Sequence, residues 1–380
     1  MKICLVGPTH PFRGGVSHHT TLLCRHLRRR HQVKFISFKR QYPAILFPGQ
    51  SDRDCSSEPM RVENVDYLID SLNPWTWKRA GDAILDYGPE MVVMPWWVAF
   101  WGPCFGTILS RLGERRDIEK VFVCHNVIEH EARGWKLRVT RKVLAQANRF
   151  LVHSSQERER LRELLGPGAR IDVAHLPTFT ELSGKRWKAE EARAHLEVDR
   201  PMLLFFGFVR DYKGLHDLID AFPDILKSRD ALLYVVGEFW EDRSSYLRHI
   251  ERLGLQDNIV VVDRYIPNEE VGLYFAAADL VVQPYRSVSG SGISQVAFGF
   301  DRPVVATRVG SLAEVIRDGV DGRLLDPGSP AALAKTILEC LEPVTLQRLK
   351  AEACNSKHRF SWDAVVDTLV GPVPNPGGIS

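Results

Sequence analysis

The chain has 380 residues, a length that at roughly 100–200 residues per domain points to two domains, with room for a third. With 44% hydrophobic, 26% charged and 9% aromatic residues, it is neither a disordered chain, a collagen-like fibre nor a coiled coil. A balance of 50 basic against 47 acidic residues leaves +3, too slight to argue for nucleic acid as a partner. The 7 cysteines are scattered with no CxxC, which reads as reduced thiols of a cytoplasmic protein, not as a disulfide framework or a zinc site.

The opening Met1–Gly7 turns polar too quickly for a secretory leader. Short apolar runs at Lys2–Val6, Val33–Ser37, Met91–Met94, Val121–Cys124, Phe150–Val152 and Ile171–His175 predict strands buried on both faces. Helical patterns over Ser17–Arg30, Trp75–Tyr87, Leu137–Ala147 and Ser155–Leu165 alternate with them, the βαβ grammar of a parallel sheet. After the first run comes a Gly-rich turn, Pro8 to Val16. There Gly14 and Gly15 let backbone approach a ligand at a helix N-terminus. The uncharged stretch Met91–Ser110 is long enough to span a bilayer. Pro95, Gly102 and Pro103 interrupt it, so a strand, an aromatic loop and an amphipathic helix are expected there. The basic run Arg25–His31 suits a helix end and is a place where anionic lipid could be attracted.

A polar stretch, 179–200, is expected to connect a second series of the same kind. Its strands are Met202–Phe206, Leu232–Val236, Ile259–Val262, Leu280–Gln283, Val304–Ala306 and Gly322–Leu325. The intervening helices are Leu215–Lys227, Ser245–Leu253, Glu269–Ala277, Ile293–Phe300, Ser311–Arg317 and Ala331–Leu341. Two strand ends carry chemistry. From Phe206 through Gly207 to Gly214, Arg210 and Lys213 stand where a parallel sheet presents its ligand edge, a guanidinium fork and a point charge for a diphosphate. From Ser287 to Gln295, the small residues Gly290, Ser291 and Gly292 leave N–H groups uncovered ahead of Ile293. Glu314 is a further ligand candidate, although Ser311 and Glu314 also spell a capping box.

The second half resembles the family 4 glycosyltransferases of the GT-B fold. The likeness rests on Arg210, Lys213 and Gly214, on Gly237-Glu238, on Ala277-Ala278-Asp279-Leu280 before Gln283-Pro284-Tyr285, and on the run Pro303–Gly310 followed by Asp318-Gly319, Gly322 and Pro327. The first half adds Gly14-Gly15-Val16 and Cys124-His125-Asn126-Val127. The resemblance implies an α/β GT-B chain, two Rossmann-like doubly wound domains facing a central cleft. The expected divisions are 1–178 on the acceptor side, 179–200 as connection and 201–355 on the donor side, then a helix in 356–371 crossing back and a loose tail, 372–380.

The resemblance further implies that a nucleotide-diphosphate sugar, UDP- or GDP-linked, gives its sugar to an acceptor hydroxyl with retention, in polysaccharide or glycoconjugate synthesis. Arg210, Lys213 and His125 are the expected catalytic residues, His125 at the position of a histidine facing the donor sugar. Glu238 and Ile266 are placed by it near the nucleotide, and Asn126, Trp96 and Trp97 on the acceptor side. Where the family usually carries two glutamates eight residues apart, this chain has Val288 and Val296, with Gln295 beside them able to offer its amide to a ribose. No cofactor and no metal are expected. The expected partners are the nucleotide sugar, a saccharide or lipid-linked saccharide, and a peripheral membrane contact at the inner face, with no nucleic acid. A catalytically silent nucleotide-sugar-binding partner of another transferase, or a sugar-nucleotide epimerase, are the alternatives that share this fold.

Overall fold

The computed structural model describes residues 1–43, 47, 49–128, 134–179, 181 and 187–371. The chain divides into two compact units. The first is Met1–Asp54, Met60–Leu176 and the segment from Ser361, and the second is Cys55–Pro59 with Pro177–Phe360. The divisions fall after Leu176 and Phe360, where the sequence reading has 178 and 355. The short segment Cys55–Pro59 joins the second unit because the Ser57 N–H and hydroxyl both donate to Glu269, at 2.8 and 2.6 Å.

Unit 1 is built on seven parallel strands: β1 (Lys2–Val6), β2 (Gln32–Arg40), β3 (Val65–Asp70), β4 (Met91–Trp96), β5 (Glu119–Cys124), β6 (Arg149–Val152) and β7 (Ile171–Val173). Their order is β3-β2-β1-β4-β5-β6-β7. Central strands read as unbroken apolar runs because helices cover both faces; β1 and β4 are buried along nearly their whole length. Strand β3 is not among the predicted elements: VDYLID keeps only Ile69 fully buried and lies at the edge of the sheet, so its sequence carries little apolar pattern. Met91–Ser110 resolves into β4, a short turn Ala99–Trp101 and the helix Gly102–Leu112. Among the described residues no helix is long and apolar enough to cross a membrane.

The C-terminal helix Trp362–Val370 belongs to unit 1 and packs on the helix Gly15–Arg28. It buries Trp362, Val365, Val366 and Leu369, and Arg30 pairs with Asp367 at 2.8 Å. Arg149 donates to the carbonyls of Thr368 and Leu369, two of the C-terminal acceptors a helix cannot satisfy internally.

Unit 2 repeats the plan with β8 (Met202–Phe206), β9 (Leu232–Val236), β10 (Ile259–Val262), β11 (Leu280–Gln283), β12 (Val304–Thr307) and β13 (Gly322–Leu325). Their order is β10-β9-β8-β11-β12-β13, all parallel. In each unit the order reverses once, between β1 and β4 and between β8 and β11. Neighbouring loops diverge there, at the carboxyl ends of the strands, and leave a crevice for a ligand. The Gly-rich turn and the two cation- and serine-bearing loops follow β1, β8 and β11.

Candidate functional site

In unit 2 the site begins with two glycines. Gly207 and Gly237 end β8 and β9 at φ +103° and +142°. A Cβ on Gly237 would stand 2.3 Å from the Gly207 carbonyl oxygen, so the strand ends close up only without side chains. Beyond them the loops zip together, the Val209 N–H donating to the Glu238 carbonyl at 3.0 Å and the Trp240 N–H to the Val209 carbonyl at 3.2 Å. Phe208 stacks on Trp240 with ring centroids 4.2 Å apart, and the Arg210 guanidinium lies 5.3 Å from the same indole. A rigid aromatic pair thus holds an exposed cation at the strand end.

A single 3₁₀ turn, Asp211–Lys213, follows and is closed by Gly214 at φ +67°. A Cβ there would meet the Pro284 carbonyl oxygen at 2.0 Å, and the Arg286 N–H donates to the Tyr212 carbonyl at 2.7 Å. Both contacts fix this turn to the loop after β11. Lys213 is only 8% exposed. Its Nζ would be 3.1 Å from a Cβ on Gly207 and lies 5.6 Å from the centre of the Tyr285 ring. Burial holds its pKa below the usual lysine value; Tyr212 counters this, and the nearby Arg210 charge adds to it.

Arg286 is a different kind of cation. It is paired with Asp217 at 2.9 Å and faces Asp211 at 3.5 Å. Among the described residues neither Arg210 nor Lys213 has a carboxylate partner. An unpaired ammonium in a low-dielectric setting is costly unless an anion joins it.

The loop after β11 is held from beneath. Gln283, 1% exposed, donates from Nε2 to Ser291 Oγ at 2.8 Å and accepts from the Ser294 hydroxyl at 2.5 Å. Ser291 Oγ also accepts from the Ile293 N–H at 3.3 Å. Ile293 Cδ1 would lie 3.6 Å from a Cβ on Gly207, so Lys213 and Ile293 meet over one glycine. Gly290, Ser291 and Gly292 are partly exposed, and their N–H groups donate to no backbone carbonyl among the described residues. The loop's other end rests on Gly310, at φ +51°, where a Cβ would be 1.7 Å from the Val288 carbonyl oxygen.

Of the other donor-side candidates, Glu238 and Ile266 are 4% and 6% exposed. Gln295 is 1% exposed, and its Oε1 has no hydrogen-bond partner. Val288 and Val296 are buried. Glu314 is half-buried, and the expected capping box does not form: Ser311 adopts helical dihedrals and caps nothing with its side chain.

In unit 1, Gly14 (φ +105°) and Gly15 open the helix Gly15–Arg28, and a Cβ on either would have nothing within 4 Å. The His125 N–H donates to the Trp96 carbonyl at 2.8 Å. The His125 ring stands 4.6 Å from that of His19 and 5.0 Å from that of His153. Burial, then the His153 ring, hold its pKa well below the usual histidine value, so it is a neutral imidazole. Asn126 follows, its buried Oδ1 without a partner.

Trp96 is a correction to the acceptor-side expectation. It is 1% exposed and donates to the Val127 carbonyl at 3.3 Å, so it is core and offers no face to a sugar. Trp97 is half-buried and donates to the Tyr42 hydroxyl at 2.9 Å. The basic helix end is also engaged: Arg25 donates to the Arg61 carbonyl, Arg28 to those of Glu63 and Asn64, and Arg30 pairs with Asp367. Those guanidinium groups hold unit 1 together, while Arg29 beside them stays exposed.

Several residues at these sites escape sequence reading. Gln283 is visible only as an isolated polar residue ending an apolar strand. Trp240, His19 and His153 have no local signal, because they act through neighbours distant in sequence.

The fold and both halves of the chain have counterparts. Residues 13–181 match the model described as Glycosyltransferase Family 4, and residues 200–343 match Glycosyl transferases group 1. A D-inositol 3-phosphate glycosyltransferase of Catenulispora acidiphila is 31% identical over 241 residues, covering 60% of this chain and 57% of the relative. The chain therefore matches less than two thirds of that relative's length. Sucrose-phosphate synthase from Thermosynechococcus elongatus shares the fold over 97% of both chains, with a TM-score of 0.71 and 20% identity. HepE of Anabaena, in a complex with UDP and glucose, shares it over 97% of this chain and 99% of its own, with a TM-score of 0.73 and 20% identity. With two doubly wound sheets of the GT-B type and family matches on both, this chain belongs to the family 4, group 1 glycosyltransferases.

Proposed function

We propose that the protein transfers a glycosyl group from a nucleotide-diphosphate sugar to an acceptor hydroxyl. The observation that carries this reading is the buried, carboxylate-free ammonium of Lys213 at the β8/β11 reversal, beside Arg210 and the Gly290–Ile293 bend. As the bond between the sugar's anomeric carbon and the diphosphate breaks, negative charge grows on the departing oxygens. Arg210, Lys213 and the N–H groups of the bend meet that charge from fixed positions, without reorganising during the reaction. The new bond joins the acceptor oxygen to the anomeric carbon, and the hydroxyl proton leaves with the diphosphate or its surrounding water.

In this reading the two side-chain cations supply the charge that a metal ion supplies elsewhere, and the donor site needs none. His125, neutral, offers a hydrogen bond to a sugar hydroxyl, and Asn126 Oδ1 a second. Glu238, Ile266 and Gln295 line the nucleotide side, the Gln295 amide taking the ribose contact. Retention of configuration and a hexosyl group belong to the same proposal, on the strength of family membership. A uridine diphosphate donor is supported by the UDP complex of the similar HepE structure. The acceptor is a saccharide or a cyclitol of the kind named for the relatives.

Radiolabelled UDP- and GDP-sugars offered with a panel of saccharide and inositol phosphate acceptors test this. Label moved to an acceptor, and lost in Lys213→Ala, is the expected result. Tight UDP or GDP binding without transfer to any acceptor would make the chain a silent partner instead. Epimerised donor in the absence of acceptor would make it an epimerase.

A further inference from the structure

Unit 1 holds three histidines brought together from distant parts of the chain. His19 lies in the helix Gly15–Arg28, His125 follows β5 and His153 follows β6. Their ring centroids are 4.6, 5.0 and 5.4 Å apart, and one ring nitrogen from each lies within 4.8 Å of the others. His19 is 1% and His153 5% exposed. Both ring nitrogens of His19, Nε2 of His125 and Nε2 of His153 are buried without a hydrogen-bond partner. So many unsatisfied buried nitrogens facing one another require an explanation.

A further contact fixes a tautomer. His153 Nδ1 lies 2.9 Å from the Ala174 carbonyl oxygen, an acceptor only, so Nδ1 carries the proton and Nε2 presents its lone pair. A backbone carbonyl orienting a histidine in this way is the outer shell found behind metal ligands. An imidazole ligates in its neutral form through a ring lone pair, as His153 Nε2 presents one.

We propose that His19, His125 and His153 form a binding site for a late first-row divalent metal ion, best suited to zinc. Three neutral imidazoles and no carboxylate favour such an ion over magnesium or calcium, which take oxygen ligands. Three protein ligands leave a fourth position for water. Zinc–nitrogen bonds of about 2.0–2.1 Å bring tetrahedral ligand atoms to roughly 3.4 Å from one another, so the rings draw together on loading. Binding is coordination alone: water leaves the ion and no proton need leave a neutral ring nitrogen. The metal site does not depend on the transferase reading. Where that reading holds, His125 cannot face the sugar and the ion at once, and zinc acts as an inhibitor competing with the donor.

The test titrates Co²⁺, then Zn²⁺, into the full, tag-free chain after EDTA stripping, with His19→Gln and His153→Gln as size-matched variants and exposed His358→Gln as control. One Co²⁺ per chain, with the visible bands of a four-coordinate nitrogen site, displaced by Zn²⁺, is expected. Each of the two cluster variants should lose about 100-fold or more in affinity, and the control nothing. Absence of these bands from folded wild-type protein overturns the proposal, as do bands that persist in both cluster variants. Should a variant fail to fold, the wild-type spectrum alone decides. Zinc binding without inhibition of transfer would leave the site in place and remove only the link to His125.

Discussion

Lys213 and Arg286 differ in their partners and not in their charge. Both follow strand ends at the β8/β11 reversal, yet Arg286 is neutralised by Asp217 while Lys213, among the described residues, has no carboxylate partner. Replacing Lys213 or Arg210 by Ala should lower kcat for transfer by about 10²–10³ each, the size seen when a preorganised charge stabiliser is removed. Steady-state kinetics at saturating donor measures it. The lysine also sets a pH dependence. Burial lowers its pKa in the free protein, so it loses its proton at a lower pH than an ordinary lysine. A diphosphate binds the charged form. UDP affinity should therefore fall as pH rises through the alkaline range, beginning below the normal lysine titration, with proton uptake on binding there. Isothermal calorimetry in buffers of different ionisation enthalpy reads both effects, and Lys213→Ala should abolish them. The cation pair was legible in sequence from its place after a strand. The burial of Lys213 was not, since Tyr285 and Ile293, which cover it, arrive from some 70 or more residues along the chain.

At the level of elements, two joints hold the site. Gly214 combines a left-handed φ of +67° with the approach of the Pro284 carbonyl. Gly214→Ala should cost about 1 kcal/mol for the backbone alone and more for the clash, and should weaken UDP binding by displacing the Arg210–Lys213 turn from the bend. Chemical denaturation and calorimetry on one preparation separate the two effects. The second joint is the helix Trp362–Val370. A chain ending at Phe360 exposes the surface it covers on the helix Gly15–Arg28 and leaves Arg149 without its carbonyl acceptors. At roughly 1.5–3 kcal/mol for each large apolar side chain removed from burial, unit 1 should lose much of its stability. Scanning calorimetry should show its transition lowered or absent. The helix itself was expected, within 356–371, from the family resemblance. Strand β3 was not, because an edge strand with exposed Asp66 and Tyr67 carries no run of apolar residues. The helix Pro343–Ser356 was missed for a related reason: it buries only Leu349, Ala353 and Ser356, too few to give a periodic stripe.

For the whole molecule, the alternation of apolar runs and helical patterns was enough to read two parallel α/β units, since strands buried on both faces cannot disguise themselves. It was also enough to place the candidate loops at strand ends. What it could not supply is which buried side chains meet. Trp96, expected on the acceptor side, proves to be core, because the chain turns its indole onto the Val127 carbonyl. The histidine cluster was invisible for the converse reason: positions 19, 125 and 153 have no spacing that a motif could capture. Nucleoside diphosphates should raise the thermal stability of unit 2 by mass action, UDP more than ADP. Loss of the shift in Arg210→Ala and Lys213→Ala would tie that stabilisation to the clamp.

The most direct test of the account is a crystal structure of the protein soaked with UDP. The account predicts diphosphate oxygens within hydrogen-bonding distance of Lys213 Nζ, of the Arg210 guanidinium and of backbone N–H groups in Gly290–Ile293. A diphosphate bound elsewhere, with Lys213 still facing only Tyr285 and Gly207, would contradict it.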